Sequence, residues 1–258
     1  MTAAAHVDPS AAAGAAGGAR DRPPALAVDA LVKRFGGVTA LDSVSFVAER
    51  HEVLGLIGVN GAGKTTLFNC ISGLLAPDSG QIRLDGADIR GMGANTIARA
   101  GVGRTFQVPR VFRKMTVLEN LMVPVLGDPS PRRRLRERAE ATLESVKLSA
   151  LRHNFAEELS GGQQKLLELA RLQMVEPAVV LLDEPFAGVH PVLCRFMIEL
   201  IAGLAKAGRC VILISHDLTS IYRLSGRVLV MNQGQVIARG TPDEIRRDPA
   251  VVEAYLGA

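Results

Sequence analysis

The chain has few aromatic residues and few cysteines. It has no tryptophan, two tyrosines and eight phenylalanines among 258 residues, and three cysteines, Cys70, Cys194 and Cys210. Because aromatic residues do not interleave with basic ones, nucleic acid is not expected as a partner. The cysteines lack metal-ligand spacing and leave one unpaired in any disulfide scheme, which favours a reduced, cytoplasmic setting.

Long hydrophobic runs are also missing. No apolar stretch approaches the ~18–20 residues of a membrane-spanning helix, so the chain is not expected to cross a bilayer by itself. Residues 1–24 are rich in alanine and glycine and lack the apolar centre of a signal peptide, so they are predicted to form a disordered tail.

Excess charge of one sign is small. The formal net charge is +4, and much of it lies in a cluster formed by Arg132, Arg133, Arg134, Arg136 and Arg138. A solvated helix surface is the simpler interpretation of this cluster, and contact with anionic lipid headgroups is the alternative.

Short apolar runs alternate with amphipathic stretches from residue 25 onward. Four runs are typical of strands covered on both faces in a parallel α/β sheet: Val53–Ile57, Val179–Leu182, Val211–Ile214 and Val228–Met231. Between them the pattern becomes helical, notably over residues 132–151 and 161–175. We therefore predict one domain over residues 25–258, with a core at about 25–90 and 176–258 and a helical insert at about 91–175.

A glycine-rich loop follows the first apolar run. Residues 58–66 read Gly-Val-Asn-Gly-Ala-Gly-Lys-Thr-Thr, and a helical pattern continues over residues 66–74. The glycines let backbone N–H groups face phosphate oxygens, and the following helix adds its positive end. Lys64 is placed to reach the β- and γ-phosphates, and Thr65 offers a hydroxyl to Mg²⁺. This pattern predicts a nucleotide site.

Two later strand ends carry acid–base groups. Asp183 and Glu184 follow one apolar run, and His216 follows another. Because ligands bind at the carboxyl ends of such strands, Asp183 is placed to hold Mg²⁺ and Glu184 to polarise a water. His216 would orient the γ-phosphate or that water. Taken alone, Glu184 could equally cap the next helix and His216 could be structural, but the phosphate loop favours the chemical roles.

A second glycine-rich helix start appears at Leu159-Ser-Gly-Gly-Gln163. Ser160 is a natural N-cap, and the two glycines after it leave their N–H groups bare, which makes a second anion-binding helix terminus. A P-loop kinase or GTPase would explain the first glycine loop but leaves this one without a purpose.

The order of phosphate loop, Gln107, Leu-Ser-Gly-Gly-Gln, Leu-Leu-Asp-Glu-Pro and His216 resembles the ATP-binding-cassette (ABC) ATPases over about residues 25–257. The resemblance implies an α/β P-loop NTPase (RecA-like) core with an antiparallel β subdomain and an inserted α-helical subdomain. It implies ATP hydrolysis with ATP and Mg²⁺ between two cassettes that meet head-to-tail.

The resemblance also assigns roles. The catalytic residues would be Glu184, His216 and Gln107, and the metal site would use Thr65, Gln107 and Asp183. Nucleotide would be bound by Phe35, Gly58, Asn60, Gly61, Gly63, Lys64, Thr65 and Thr66 of one chain and by Ser160, Gly161, Gly162 and Gln163 of the other. Phe35 would stack on adenine, with a core or loop role as the alternative. His190 stands where most family members have aspartate, which could alter how the two sites communicate.

Finer matches resemble the cassettes of branched-chain amino acid importers, for example residues 104–112, 115–120 and 163–169. Residues 184–189 also resemble lipopolysaccharide-transport cassettes, and urea-importer cassettes share much of the rest. The resemblance implies a peripheral subunit at the cytoplasmic face of the membrane. Its partners would be a second cassette, identical or different, integral-membrane permeases and, indirectly, an extracytoplasmic solute-binding protein. A non-transport cassette is the alternative, but such proteins usually have two fused cassettes or a long coiled-coil insertion.

Overall fold

The computed structural model describes residues 22–256 of the chain. Ten strands lie in this part: β1 Leu26–Phe35, β2 Val38–Ala48, β3 Val53–Gly58, β4 Ser79–Leu84, β5 Ala87–Asp88, β6 Val102–Arg104, β7 Val179–Asp183, β8 Cys210–Ile214, β9 Arg227–Asn232 and β10 Gln235–Gly240. Nine α-helices accompany them: α1 Lys64–Ile71, α2 Ala94–Ala100, α3 Val117–Met122, α4 Arg132–Ser145, α5 Gly161–Val175, α6 Pro191–Lys206, α7 Leu218–Leu224, α8 Pro242–Arg247 and α9 Pro249–Leu256. The predicted tail, residues 1–24, lies almost wholly outside the described residues.

The central sheet has six strands in the order β10-β9-β3-β8-β7-β6. Its pairs are parallel except β10 with β9. Every residue of β3, β7 and β8 is buried. Because side chains alternate along a strand, Val180 and Leu182 pack into one hydrophobic core while Val179 and Leu181 pack into another. Coverage on both faces, predicted from the uninterrupted apolar runs, is confirmed.

A second sheet of four antiparallel strands has the order β2-β1-β4-β5. Its buried residues, such as Leu31 of β1 and Ile82 of β4, share a core with Phe68 of α1. This sheet is the antiparallel subdomain that the predicted fold class requires, so the α/β P-loop architecture is confirmed.

Helices α3 to α5 form the segment between β6 and β7. Helix α5 has the predicted bounds, and Ser160 caps it. The predicted helix over residues 132–151 was too long: α4 ends at Ser145, and Lys147 then adopts a left-handed φ of 59°, which a helix cannot continue through. Helix α1 likewise ends at Ile71, two residues before Gly73 turns the chain at φ 70°.

The arginine cluster lies on α4. Arg133 pairs with Glu137 and Arg136 pairs with Glu140, in each case four residues apart with both side chains exposed. These local pairs are what a solvated helix surface needs. Separately, no helix among residues 22–256 is both long and apolar enough to cross a bilayer.

Candidate functional site

A polar cleft of about 340 Å³ opens where β3, β7 and β8 end. Most of the side chains and backbone that line it come from three predicted motifs and from Gln107, and Ala40 of β2 completes the wall. The lining residues are Ala40, Asn60, Gly61, Ala62, Gly63, Lys64, Thr65, Thr66, Gln107, Asp183, Glu184, Ile214 and His216. The structure therefore brings together ten of the residues predicted for nucleotide, metal and catalysis.

The phosphate loop depends on glycine at its turns. Gly61 and Gly63 have φ of 80° and 100°, a region that side chains disfavour. A Cβ on Gly63 would also stand 2.4 Å from the carbonyl oxygen of Ala40. Gly58 does not line the cleft but packs behind it, where a Cβ would stand 2.2 Å from the Met231 carbonyl oxygen. The backbone can thus curl as phosphate binding requires.

Lys64 is buried at the start of α1. Its Nζ donates hydrogen bonds to the carbonyl oxygens of Gly58 at 2.6 Å and Val59 at 2.9 Å. Burial lowers the pKa of Lys64, while the charges of Glu184 and Asp183 oppose that shift. The ammonium is held by neutral carbonyls rather than by a carboxylate, so it can bind a polyphosphate without first losing an ion pair.

Glu184 has one free carboxylate oxygen at the wall of the cleft. Its Oε2 accepts a hydrogen bond from the backbone N–H of His216 at 3.1 Å. Its Oε1 lies 3.3 Å from Nε2 of His216 but has no hydrogen bond, although it is buried. A buried carboxylate oxygen without a partner is costly unless something fills its place. Because Lys64, Asp183 and the phosphate loop line the same cleft, an oxygen that still needs a donor suits a site for Mg-ATP.

Asp183 pairs with a residue that sequence reasoning missed. Arg104 Nη2 lies 3.4 Å from Asp183 Oδ2, and both side chains are buried. Burial raises the pKa of Asp183, and Arg104 opposes that shift most strongly. Arg104 Nη1 also donates to Asn69 Oδ1 on α1 at 2.7 Å and to the Oγ of Ser72, the residue that ends α1 as its C-cap, at 2.9 Å. The pair thereby joins the candidate metal carboxylate to the helix of the phosphate loop.

The remaining predicted residues lie elsewhere. Ser160 is exposed at the start of α5, where its hydroxyl accepts from the N–H of Gln163 at 3.3 Å and its own N–H donates to Gln163 Oε1 at 2.9 Å. Ser160 to Gln163 do not line the cleft. Phe35, at the end of β1, is 47% exposed, so its ring is open to a ligand. Within one chain, the start of α5 therefore lies apart from the phosphate loop.

His190 takes over a task for which aspartate is well suited. It is the N-cap of α6, and its Nδ1 accepts a hydrogen bond from the N–H of Val192 at 3.3 Å. Aspartate is a good N-cap because its carboxylate accepts from the same position. The departure noted in the sequence therefore keeps the cap and changes the charge.

A second groove, of about 600 Å³, lies beside β6 and α5. Two guanidinium groups lie near the Phe106 ring there, Arg104 at 5.0 Å and Arg110 at 4.1 Å from the ring centroid. Phe112 is 41% exposed, and Arg171 lies 4.9 Å from its ring centroid. The groove therefore combines apolar rings with positive charge.

Glu168 lies buried in the wall of this groove, where its Oε1 accepts a hydrogen bond from the backbone N–H of Arg110 at 2.8 Å. Burial raises the pKa of Glu168 to about 7, although nearby Arg171 and Lys165 pull it down. The folded chain then keeps a proton that the unfolded chain releases above about pH 4.5, so this group's contribution to stability is lost as pH rises to about 7.

Glu168→Gln should therefore leave the free energy of unfolding almost unchanged near pH 4 and raise it by about 2 kcal/mol near pH 8. Urea unfolding of both proteins at the two pH values measures this difference. Glu137→Gln, at an exposed position on α4, is the matched control and should show no such trend. An equal effect of Glu168→Gln at both pH values would contradict the buried, proton-retaining carboxyl.

Comparison with known proteins identifies the family. The sequence model of the family described as "ABC transporter" matches residues 41–187, more than half of the chain. A second model, described as "Branched-chain amino acid ATP-binding cassette transporter", matches residues 235–258. The first of these matches contains the phosphate loop, Gln107, Ser160 and Asp183.

Individual relatives agree with this assignment. The chain is 42% identical over 250 residues to the high-affinity branched-chain amino acid transport ATP-binding protein BraF of Pseudomonas aeruginosa, covering 91% of this chain and 98% of the relative. It is 36% identical over 234 residues to the lipopolysaccharide export system ATP-binding protein LptB of Haemophilus influenzae, covering 90% and 97%.

Among solved structures, the ADP conformation of an ATP-binding cassette from an ABC transporter superimposes with a TM-score of 0.82 at 35% identity, covering 90% of this chain and 98% of that one. The fold, the polar cleft and these relatives agree, and the chain belongs to the ABC transporter family as one of its ATP-binding, Mg²⁺-dependent ATPase cassettes.

Proposed function

We propose that this chain is the ATP-binding subunit of a branched-chain amino acid importer, in which two cassettes enclose two Mg-ATP molecules head-to-tail. The observation that carries the proposal is that two elements suited to binding phosphate, the phosphate loop and the start of α5, lie apart in one chain. The phosphate loop lines the cleft, whereas Ser160 and Gly161 are exposed outside it. A bare helix N-terminus binds anions, so each α5 terminus is suited to the γ-phosphate held by a partner.

Within the cleft, each group has a defined task. Phosphates would be bound by Lys64, by Thr66 and by the backbone of Gly58, Asn60, Gly61 and Gly63, with Phe35 stacked on adenine. The second cassette would contribute its Ser160, Gly161, Gly162 and Gln163 to the same nucleotide. Thr65, Asp183 and Gln107 would hold Mg²⁺. The ion, when bound, neutralises charge on the β- and γ-phosphate oxygens.

Glu184 is the proposed general base. The His216 N–H occupies one carboxylate oxygen, which leaves Oε1 to accept a hydrogen bond from a water and then its proton. The His216 ring, 3.3 Å from Oε1, would orient that water or the γ-phosphate. Closure of the two cassettes on ATP would drive the permease between access states, and hydrolysis would release them.

The groove beside α5 is the proposed docking site for a short helix of the permease. Its rings, Phe106 and Phe112, and the exposed Val108 near them would bury the apolar face of that helix. Docking there would place the chain at the cytoplasmic face of the membrane as a peripheral subunit. A solute-binding protein on the other side would meet it only through the permease.

The branched-chain substrate rests on relatives. BraF is named for this transport, and residues 235–258 match the branched-chain cassette model. The likeness to LptB supports lipopolysaccharide export as a second candidate. Urea remains the third, because its cassettes share many of the same segments.

Purification of the chain from its native membranes tests the proposal. We expect one or more multi-span permeases to co-purify, and proteoliposomes of that assembly to take up labelled leucine, isoleucine or valine only when ATP is on the cassette side. Phe112→Asp should abolish co-purification, whereas Leu126→Asp, at a position that is 75% exposed and outside the groove, should not. ATP-driven flux of urea or of a lipid, with none of the amino acids, would contradict the assigned substrate.

A further inference from the structure

Lys165 is a buried cation that the proposed reaction does not use. It lies on α5 and is 7% exposed. Its Nζ donates hydrogen bonds to the carbonyl oxygens of Glu184 at 2.7 Å and Ala187 at 2.8 Å. Charged donors make the stronger protein hydrogen bonds, so this side chain grips the segment that follows β7.

Glu184 needs such a grip because its backbone is strained. Its φ is 49°, in the left-handed region that residues other than glycine rarely adopt. A strained residue persists only where its surroundings hold it. Its N–H donates to the Ile214 carbonyl at 3.0 Å and its side chain accepts from His216, so two contacts come from β8 and the residues after it. The Lys165 contact is the one that comes from α5.

Helix α5 is also the helix whose first residues would close on the partner's nucleotide. Lys165 lies little more than one turn beyond Gly161, the first residue of that helix. The chain after Glu184 also packs on the same turn, because a Cβ on Gly162 would stand 3.6 Å from Val189 Cγ1 and 2.7 Å from Leu193 Cδ2 at the start of α6. The start of α5 and the segment that begins with Glu184 are therefore joined by the hydrogen bonds of Lys165 and by close packing at Gly162.

We propose that Lys165 is a positioning residue for ATP hydrolysis. By holding the carbonyls of Glu184 and Ala187, it fixes the Glu184 carboxylate relative to the α5 terminus. Closure over the partner's nucleotide and the orientation of the chain's own base are then set together. This inference rests on the proposed function, because the role of Glu184 as base belongs to it.

Lys165→Met keeps the apolar stem and removes the two hydrogen bonds. We expect kcat to fall about 10- to 100-fold, because a displacement of a catalytic group by about 1 Å can slow a reaction by about 100-fold. The KM and the Kd for ATP should stay within about two-fold, because Lys165 does not line the cleft. Lys206→Met, on the exposed surface of α6, is the control and should change neither quantity.

Conservative variants of Lys165 separate the effect of its hydrogen bonds from the effect of its side-chain volume. Lys165→Arg retains donors for both carbonyls and should recover most of kcat, whereas Lys165→Gln can reach at most one and should fall between Arg and Met. This order keeps the test decisive even if the Met variant does not fold. A Gln variant with the parental kcat would overturn the proposal.

The decisive readout combines Lys165→Met with Glu184→Gln. If Lys165 acts through Glu184, the double variant should hydrolyse ATP as slowly as Glu184→Gln alone, measured as a single turnover of labelled ATP. Multiplied losses would overturn the role of Lys165 while leaving the base assignment intact. Parental hydrolysis by Glu184→Gln alone would instead overturn the proposed function.

Discussion

Glu184→Gln is expected to slow ATP hydrolysis about 10²- to 10⁴-fold while ATP affinity stays within about two-fold. The amide has the size of the carboxylate, and its oxygen can still accept from the His216 N–H, but it cannot take a proton from water. Phosphate release and equilibrium binding of a fluorescent ATP analogue measure the two quantities. With hydrolysis blocked, ATP should hold two chains together as a dimer in size-exclusion chromatography.

The control is Glu140→Gln. Glu140 is exposed on α4 and does not line the cleft. It should leave the rate, the affinity and the elution volume unchanged. Hydrolysis by Glu184→Gln at the parental rate would show that another group activates the water. His216 would then be the first residue to test, because its ring lies nearest the free oxygen.

Gly161→Glu is expected to slow ATP hydrolysis by a similar factor, but at the nucleotide site of the partner chain. Gly161 is the first residue of α5, is exposed, and a Cβ there would meet no atom within 4 Å. Glutamate suits the first turn of a helix, so the separate chain should be at least as stable as the parent. In the dimer, however, the new carboxylate would stand where the partner's γ-phosphate binds, and hydrolysis should fall about 100-fold or more.

Thermal unfolding and ATPase rates together check this expectation. Gly203→Glu is the control, because Gly203 lies on α6, is exposed and also has nothing within 4 Å of an added Cβ. That variant should hydrolyse ATP at the parental rate. Full activity of Gly161→Glu would mean that the space beside this glycine stays empty during turnover.

The sequence could predict the cleft because its groups follow apolar runs directly. Asp183 ends β7, His216 follows the end of β8, and Lys64 follows β3 at the far end of the phosphate loop. Parallel strands that share a sheet deliver their carboxyl ends to one edge. The cap at Ser160 was equally local, since its partner Gln163 is three residues away. Local chemistry and strand order were sufficient for both.

Contacts between distant residues could not be predicted in this way. Arg104 and Asp183 are 79 residues apart in the chain, and Lys165 and Glu184 are 19 apart. Neither pairing has a periodic or spacing signature, because both depend on how a helix or strand packs on its neighbours. The left-handed φ of Glu184 was hidden for the same reason, since tertiary contacts rather than local propensity hold it.

Mixing two inactive variants tests the shared site most directly. Chains with Glu184→Gln and chains with Gly161→Glu should each fail to hydrolyse ATP, because every site in either dimer has one defective half. In an equal mixture half of the dimers are mixed and one of their two sites is complete, so a single turnover should release about one quarter of the parental phosphate. A mixture as inactive as its components, or full turnover by either variant alone at high dilution, would contradict a site built from two copies of this chain.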